Sequence, residues 1–413
     1  MDRIAPMTSL QAAICEHTAE ACCQAFGPHL IAIVFTGSMA RGEATHIDDD
    51  LGTRVLGDAE FFLVFEARTS LPSKTAVDPL TGEIERRLAD RRVWCNLELT
   101  AVHPEYFRRL NPAIFAYELR ACGQVVWGEP SVLSLIPAFS VAEIPREDAW
   151  RLLSNRIIEC LEVAPDLLKA KGSEKFLYRL VKLYLDMATS FLVFVGDYRP
   201  TYRARDQALR QIAERNQGTA EFPLPLHMFS KQVTACTEFK LEGGREFPFI
   251  IADPDHRTDR VLWRDAVDYV RRLWRWELTQ LTEEPSTSAD RRLMERWMSF
   301  QPLSRRLRGW LVVLRECGWW RSYRHWPRWA GLARRASPRY WVYTAASELF
   351  FSLPDEVAPW LLGRHPAKGQ WAQRTSTLPI ILSATAQADS SEWVALARGI
   401  AANYHRFVEH TRS

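Results

Sequence analysis

The segment Ile31-Ala-Ile-Val-Phe-Thr-Gly-Ser-Met-Ala-Arg-Gly-Glu43 runs an apolar, β-branched stretch straight into a Gly-Ser and a helix start. After a polar interval, Gly57-Asp-Ala-Glu-Phe-Phe-Leu-Val-Phe65 begins acidic and then becomes wholly apolar. A buried strand ending at Gly37-Ser38 presents backbone N–H groups and a hydroxyl where a helix begins, an arrangement suited to a phosphate. Asp58 and Glu60 stand one residue apart at the mouth of the second strand, so a period of two puts both carboxylates on one face. A third acid, Glu98, lies within Cys95-Asn-Leu-Glu-Leu-Thr-Ala-Val102 and shares a face with Asn96 and Thr100. Carboxylates converging from adjacent strands make the oxygen-rich site that Mg2+ prefers, with one or two ions to activate a hydroxyl and neutralise a triphosphate.

The surrounding chain alternates in the same way. Residues 8–26 read as a helix, Leu30–Thr36 as a strand, 43–57 as a loop at the rim of a cleft, and Phe61–Phe65 as a second strand. Residues 80–91 read as a helix, Val93–Val102 as a strand with alternating polar positions, and Gln124–Trp127 as a last short strand closing on Gly128. Past Pro137 the pattern becomes helical over 147–169, 174–196, 201–216, 260–283, 287–299, 303–317 and 391–409, with loops at 217–256 and 284–290. The expected boundary is near residue 140. A mixed α/β domain (1–140) precedes an all-helical region (141–413), read either as one body or as two lobes, 141–285 and 286–413.

The Gly-Ser, the acid-x-acid pair and the later third acid resemble the nucleotidyltransferase superfamily that includes DNA polymerase β. Gly-Ser-x-Ala-Arg-Gly-Glu at 37–43 is especially similar to the bacterial minimal and aminoglycoside-modifying members, and Ala121-Cys-Gly-Gln-Val-Val-Trp-Gly128 resembles their closing strand. The likeness covers roughly residues 25–135 and, more weakly, the helices to about residue 210. It implies an α+β fold, with a nucleotidyltransferase domain of mixed sheet and helices followed by a large helical region. It also implies that Gly37, Ser38 and Arg41 hold the nucleotide, that Asp58, Glu60 and Glu98 bind one or two Mg2+ ions, and that Glu98 serves as ligand or general base. Two features depart from the family pattern. The spacer from Ser38 to Asp58 is long, and the second acid is Glu, one methylene longer than the usual Asp.

Asp48 and Asp50 are rivals for the metal, because they also alternate and lie nearer the usual distance from the Gly-Ser. Asp50 is followed by Leu-Gly-Thr-Arg, however, whereas Glu60 opens a rigid apolar strand, which favours Asp58 and Glu60. In the apolar helix 174–196, Lys175, Tyr178, Arg179, Lys182, Asp186 and Thr189 form a narrow polar stripe. Either the stripe faces the cleft and brings Lys182 to the phosphates, as the resemblance implies, or it is a seam between helices.

At 47% hydrophobic and 25% charged residues, the 413-residue chain is of globular composition, which excludes a largely disordered or fibrous protein. Its N-terminus lacks a signal-peptide core and no apolar run is long enough to span a bilayer, so a cytoplasmic protein is expected. The eight cysteines are scattered without a C-x-x-C, which argues for buried thiols over a zinc site or disulfides. Charge is uneven: residues 291–340 hold thirteen Arg, no Lys and two acids, a local +11 within a chain of net +3. Six Trp, including Trp310, Trp319, Trp320 and Trp329, are interleaved with these Arg. Three readings stand for this stretch: a helical lobe with core Trp and solvated Arg, a nucleic-acid surface, or a surface for an anionic membrane. The expected function is Mg2+-dependent transfer of a nucleoside monophosphate from an NTP, ATP foremost, to a hydroxyl acceptor that the sequence does not identify. The alternative is a non-catalytic relic of that fold which recruits nucleic acid or an anionic surface through the Arg/Trp stretch.

Overall fold

The computed structural model describes residues 7–167, 174–216, 222–242, 257–361 and 392–409. Two of its strands, β1 (Leu30–Thr36) and β3 (Gly52–Phe65), carry the apolar runs read above. Both are covered on both faces, which is why they read as continuous apolar stretches. Ile33, Phe35, Phe61 and Leu63 belong to a core shared with helices α1 (Ser9–Phe26) and α3 (Lys74–Asp90). Ala32, Val34, Phe62 and Val64 point the other way, into a core with Phe107 of α4 (Pro104–Arg108) and Leu119 of α5 (Ile114–Cys122).

β3 is the spine of a five-stranded mixed sheet. β4 (Val93–Val102) runs parallel along one edge, after the crossover through α3 that a parallel pair requires. The other edge of β3 is shared. The short β2 (His46–Asp49) pairs antiparallel with residues 52–55, and β1 pairs antiparallel with residues 60–65. β5 (Gln124–Gly128) completes the sheet beside β1. The chain is thus α+β, with the sheet in its N-terminal part and helices after it.

The interval 43–57 is a hairpin and not a loop. Asp49 Oδ1 accepts from the N–H groups of Leu51 (2.8 Å) and Gly52 (3.1 Å), and Gly52 takes a φ of 143°. Thr53 donates its hydroxyl to Asp48 at 2.6 Å. Half of the β2 residues are exposed, so pairing without apolar patterning makes this strand. α3 begins at Lys74, six residues before its expected start, with Pro79 inside it. A further helix, α9 (Leu226–Glu242), occupies the stretch read as a loop. The other helices up to Cys317 are α2 (Gly37–Ala40), α6 (Arg146–Leu167), α7 (Glu174–Val195), α8 (Tyr202–Arg215), α10 (Arg257–Thr282), α11 (Asp290–Ser299) and α12 (Leu303–Cys317). Beyond them, α13 (Trp326–Ala333) and α14 (Pro338–Leu361) had no counterpart in the sequence reading, and α15 (Glu392–Tyr404) runs into a π-helical turn.

The chain forms two compact units. The first comprises Met1–Asp148, Leu192–Gln217 and His227–Pro248, so α8 and nearly all of α9 pack with the sheet, which a single cut at residue 140 does not express. The second comprises Ala149–Phe191, Gly218–Leu226 and Phe249–Ser413. Within it Trp150 stacks on Tyr340 at 5.7 Å between ring centroids, and Trp263 meets Phe350 edge-on. All eight cysteines are free, six of them buried. Among the described residues no helix is long and apolar enough to cross a membrane.

Candidate active site

The turn from β1 into α2 depends on a residue with no side chain. Gly37 adopts φ 77°, and a Cβ there would lie 2.8 Å from Glu60 Oε1. The bare glycine therefore lets a β3 carboxylate lie directly against the turn. The four-residue α2 is anchored through its carbonyls. Gln11 of α1 donates to Met39 O, Gln124 of β5 donates to Ala40 O, and the Glu43 N–H donates to Ser38 O at 2.8 Å. Carbonyls with no partner inside so short a helix thus find partners on three other segments, and Ser38 is held in place. The Ser38 hydroxyl faces Gly57, the residue before Asp58, lying 4.0 Å from where a Cβ on Gly57 would stand.

Strand register sets the acids. Glu60 is opposite Thr36 on one side and Glu98 on the other, and Asp58 is opposite Asn96. By the alternation of the pleat, Asp58, Glu60, Asn96 and Glu98 share one face beside the Gly37 turn. Asp58 and Glu98 are exposed and Glu60 is half-buried. The Glu60 carboxyl is pushed up to about 7, first by its burial, then by the charges of Glu98 and Asp58, with the Arg41 guanidinium acting in opposition. Asn96 donates to Asp58 at 3.4 Å. The Leu97 N–H of β4 donates to Glu85 of α3 at 2.9 Å, a positioning contact beside Glu98.

The three acids are drawn to one face but not into a finished cage. Among the described residues, no group of three or more His, Cys, Asp or Glu side chains stands ready to hold a metal ion. Their chemistry nevertheless fits a hard divalent cation: three carboxylates with no imidazole or thiol, one of them pushed up by burial and then by the charges of its acidic neighbours. A cation at this face would relieve the repulsion that raises Glu60.

Arg41 stands behind the turn with its donors engaged. Its Nε donates to Glu43 at 3.0 Å and its Nη1 to Glu118 of α5 at 2.8 Å, with the side chain almost fully buried. Glu118 also accepts from the Tyr198 hydroxyl at 2.5 Å and from Arg205 of α8, and the two guanidinium groups hold its carboxyl below the usual range against the pull of burial. Glu43 accepts from the Tyr202 N–H at 2.6 Å, placing a carboxylate at the start of α8 where exposed N–H groups favour one. The Arg-Gly-Glu of the motif thus docks α8 beneath the turn. Arg41 lies close enough to Glu60 to affect its ionisation, but the hydrogen bonds seen on it serve Glu43 and Glu118. Tyr198 and Arg205, in a stretch whose sequence reads as a solvated helix start or an acceptor-side lining, support the turn together with Glu118, for which the sequence signal is an acid on the amphipathic α5.

Of the remaining sequence candidates, Asp48 and Asp50 lie on the β2–β3 hairpin, and Lys182 and the Arg/Trp stretch belong to the second unit. Asp48 is at the tip of the β2–β3 hairpin, bonded to Thr53. A bulge lies between Arg54 and Asp58, so Thr53 and Asp58 stand opposite Val93 and Asn96 of β4, three residues or about 10 Å apart at ~3.3 Å per residue, and the hairpin tip stands off from Asp58 along the strand. Lys182 belongs to the second unit, 5.2 Å from the centroid of the Tyr178 ring. Its stripe forms a seam with α6, where Asp186 accepts from Arg156 at 2.6 Å and Arg179 pairs with Glu159. Of the Arg/Trp stretch, Trp310 and Trp329 are core residues whereas Trp319 and Trp320 are exposed. No protein-family model matches the chain, and no curated protein sequence matches it.

Proposed function

We propose that the sheet-bearing unit is a Mg2+-dependent nucleotidyltransferase that moves a nucleoside monophosphate, from ATP foremost, to a hydroxyl acceptor with release of pyrophosphate. The observation that carries this reading is the register that seats Glu60 against the bare Gly37 turn, with Glu98 as its cross-strand neighbour and Asp58 one pleat away. An acid-rich face beside an anchored Gly-Ser turn is what handling a triphosphate requires, since such catalysis is mostly positioning and charge stabilisation. Asp58, Glu60 and Glu98 would hold the cation. When bound, it would supply a charge to offset the triphosphate and lower the barrier to hydroxyl attack.

The chain's own residues divide the remaining work. Ser38 offers a hydroxyl to the phosphates, beside the backbone N–H groups of the Gly37 turn. Glu98 is exposed, and in this reading it takes the proton of the acceptor hydroxyl. Arg41, Glu118 and Arg205 hold the turn still. A part for Lys182 in binding the triphosphate rests on the family resemblance alone. It is tested by whether Lys182→Ala raises KM for NTP without lowering the melting temperature.

The deciding experiment incubates the protein with Mg2+ and each NTP labelled at the α-phosphate, with a cell extract as acceptor source. Pyrophosphate release together with a labelled product is expected, and neither should appear with Glu60→Gln. Failure with all four nucleotides, or an unchanged yield from Glu60→Gln, would sink the reading.

A further inference from the structure

Within the second unit, α12 packs only one side inward. Trp310 and Val313 are buried, the Trp310 indole donates to Ala336 O at 2.9 Å, and a Cβ on Gly309 would come 2.8 Å from Pro338. Beside that buried stripe the helix carries an exposed apolar row. Leu303, Leu307 and Leu311, spaced at i, i+4 and i+8, are 65%, 55% and 62% exposed. Exposed Arg308 and Arg315 flank that row. Gly318, at φ 74°, ends the helix, and the chain then presents exposed Trp319, Trp320, Arg321, Tyr323 and Arg324, with Trp320 at 83%. Three aliphatic side chains in a row on a solvent face are not scattered surface apolarity, and their exposure asks for a partner.

We propose that this face docks the protein onto an anionic phospholipid bilayer, with α12 lying in the interface plane. The charge on the page selects the partner. Residues 301–336 carry nine Arg against one acid, Glu316, so the occupant must be negative. Two copies meeting through this same face would set arginine against arginine. The stretch 362–391 of this chain, with Arg364, Lys368 and Arg374 against Asp389, is itself positive and offers no complement. Nucleic acid would suit Arg and Trp but leaves the leucines unexplained, because an aliphatic side chain has no π-face on which a base can stack. A bilayer uses all three. Leucines enter the acyl boundary, tryptophans sit at headgroup depth, and arginines meet the lipid phosphates.

The test pellets the full chain with vesicles of phosphatidylcholine alone, or with about one-third phosphatidylserine. Binding to the phosphatidylserine vesicles only, and less at high salt, is expected. The pair Leu307→Ser and Leu311→Ser should lower partition about a hundredfold, at roughly tenfold per leucine withdrawn from the acyl boundary. Arg308→Gln, Arg315→Gln and Arg321→Gln should each lower it about fivefold. Circular dichroism checks the fold, and the Arg→Gln set tests the idea if the leucine pair unfolds the unit. Three results overturn the proposal: the full chain left in the supernatant with both vesicle types, labelled single-stranded RNA bound in place of vesicles and held equally by the leucine variants, or a dimer in sedimentation velocity that Leu307→Ser dissolves.

Discussion

Replacing Glu277 with Gln should stabilise the helical unit at pH 8 and leave it nearly unchanged below pH 5. Glu277 lies on α10, completely buried; its Oε1 accepts from the Ser190 hydroxyl of α7 at 2.6 Å, and its Oε2 has no hydrogen-bond partner among the described residues. Burial pushes the carboxyl from its ordinary 4.5 up to about 8. Below pH 4.5 both folded and unfolded chains hold the proton, and stability does not depend on this group. Between 4.5 and 8 the unfolded chain releases the proton while the folded chain keeps it, so stability falls as pH rises. At ~1.4 kcal/mol per pH unit, the loss reaches roughly 5 kcal/mol by pH 8. Gln does not titrate, so its advantage should open across that window and close again at acid pH. Urea unfolding of both proteins from pH 4.5 to 8.5 gives the difference, and hydrogen exchange at α7 and α10 assigns it to this unit. A difference that stays constant with pH would refute the reasoning, because it would mean that the buried carboxylate ionises in the fold without penalty.

Other outcomes follow from the sheet-bearing unit. Asp58→Asn and Glu60→Gln should lower kcat/KM for NTP transfer by about a hundredfold or more, while Glu60→Gln, which relieves repulsion from Glu98 and Asp58, should not lower the melting temperature. Gly37→Ala should cost about 1–2 kcal/mol, since its Cβ must enter a left-handed conformation and meet Glu60 Oε1, and transfer should fall with it; urea midpoints and turnover read the two effects. Glu118→Gln takes the shared carboxylate from buried Arg41 and Arg205 and should cost about 3–5 kcal/mol in urea unfolding, a figure that a solvated surface pair would not approach.

The Gly-Ser turn, β1, β3, β4 and the relative placing of Asp58, Glu60 and Glu98 were legible because each rests on local patterning that the sheet then uses. What escaped was decided by contact or by burial too complete to leave a pattern. In α14, the run from Tyr340 to Ala346 is buried nearly all round, along with Leu349, Phe350 and Phe351, so no polar face marks a helical period. In α9, Leu226, Phe229, Val233, Cys236 and Lys240 are buried at helical spacing, but the Pro and Gly content of 217–256 reads as a loop although Pro225 stands just before the helix. β2 forms by backbone pairing with β3 and carries no apolar alternation of its own. The ties of Glu118 to Arg41 and Arg205 span 77 and 87 residues of chain, and no window along the sequence brings such partners into view.

The interrupted path of the first unit has a bearing on the order in which it can be completed during synthesis. The chain leaves this unit at Asp148 and returns to it only at Leu192. Glu43 and Glu118 are by then already made, yet the Tyr202 amide and the Arg205 guanidinium that satisfy them are not. The nascent sheet therefore waits, with two acids sharing Arg41 between them, until α8 emerges some sixty residues later on the scale of a small folding unit. A fragment ending at residue 140 or 148 holds every residue of the motif but none of α8, and its Gly-Ser turn would lack the floor on which it rests. Completion of the site is thereby tied to translation well beyond the segment that contains its acids.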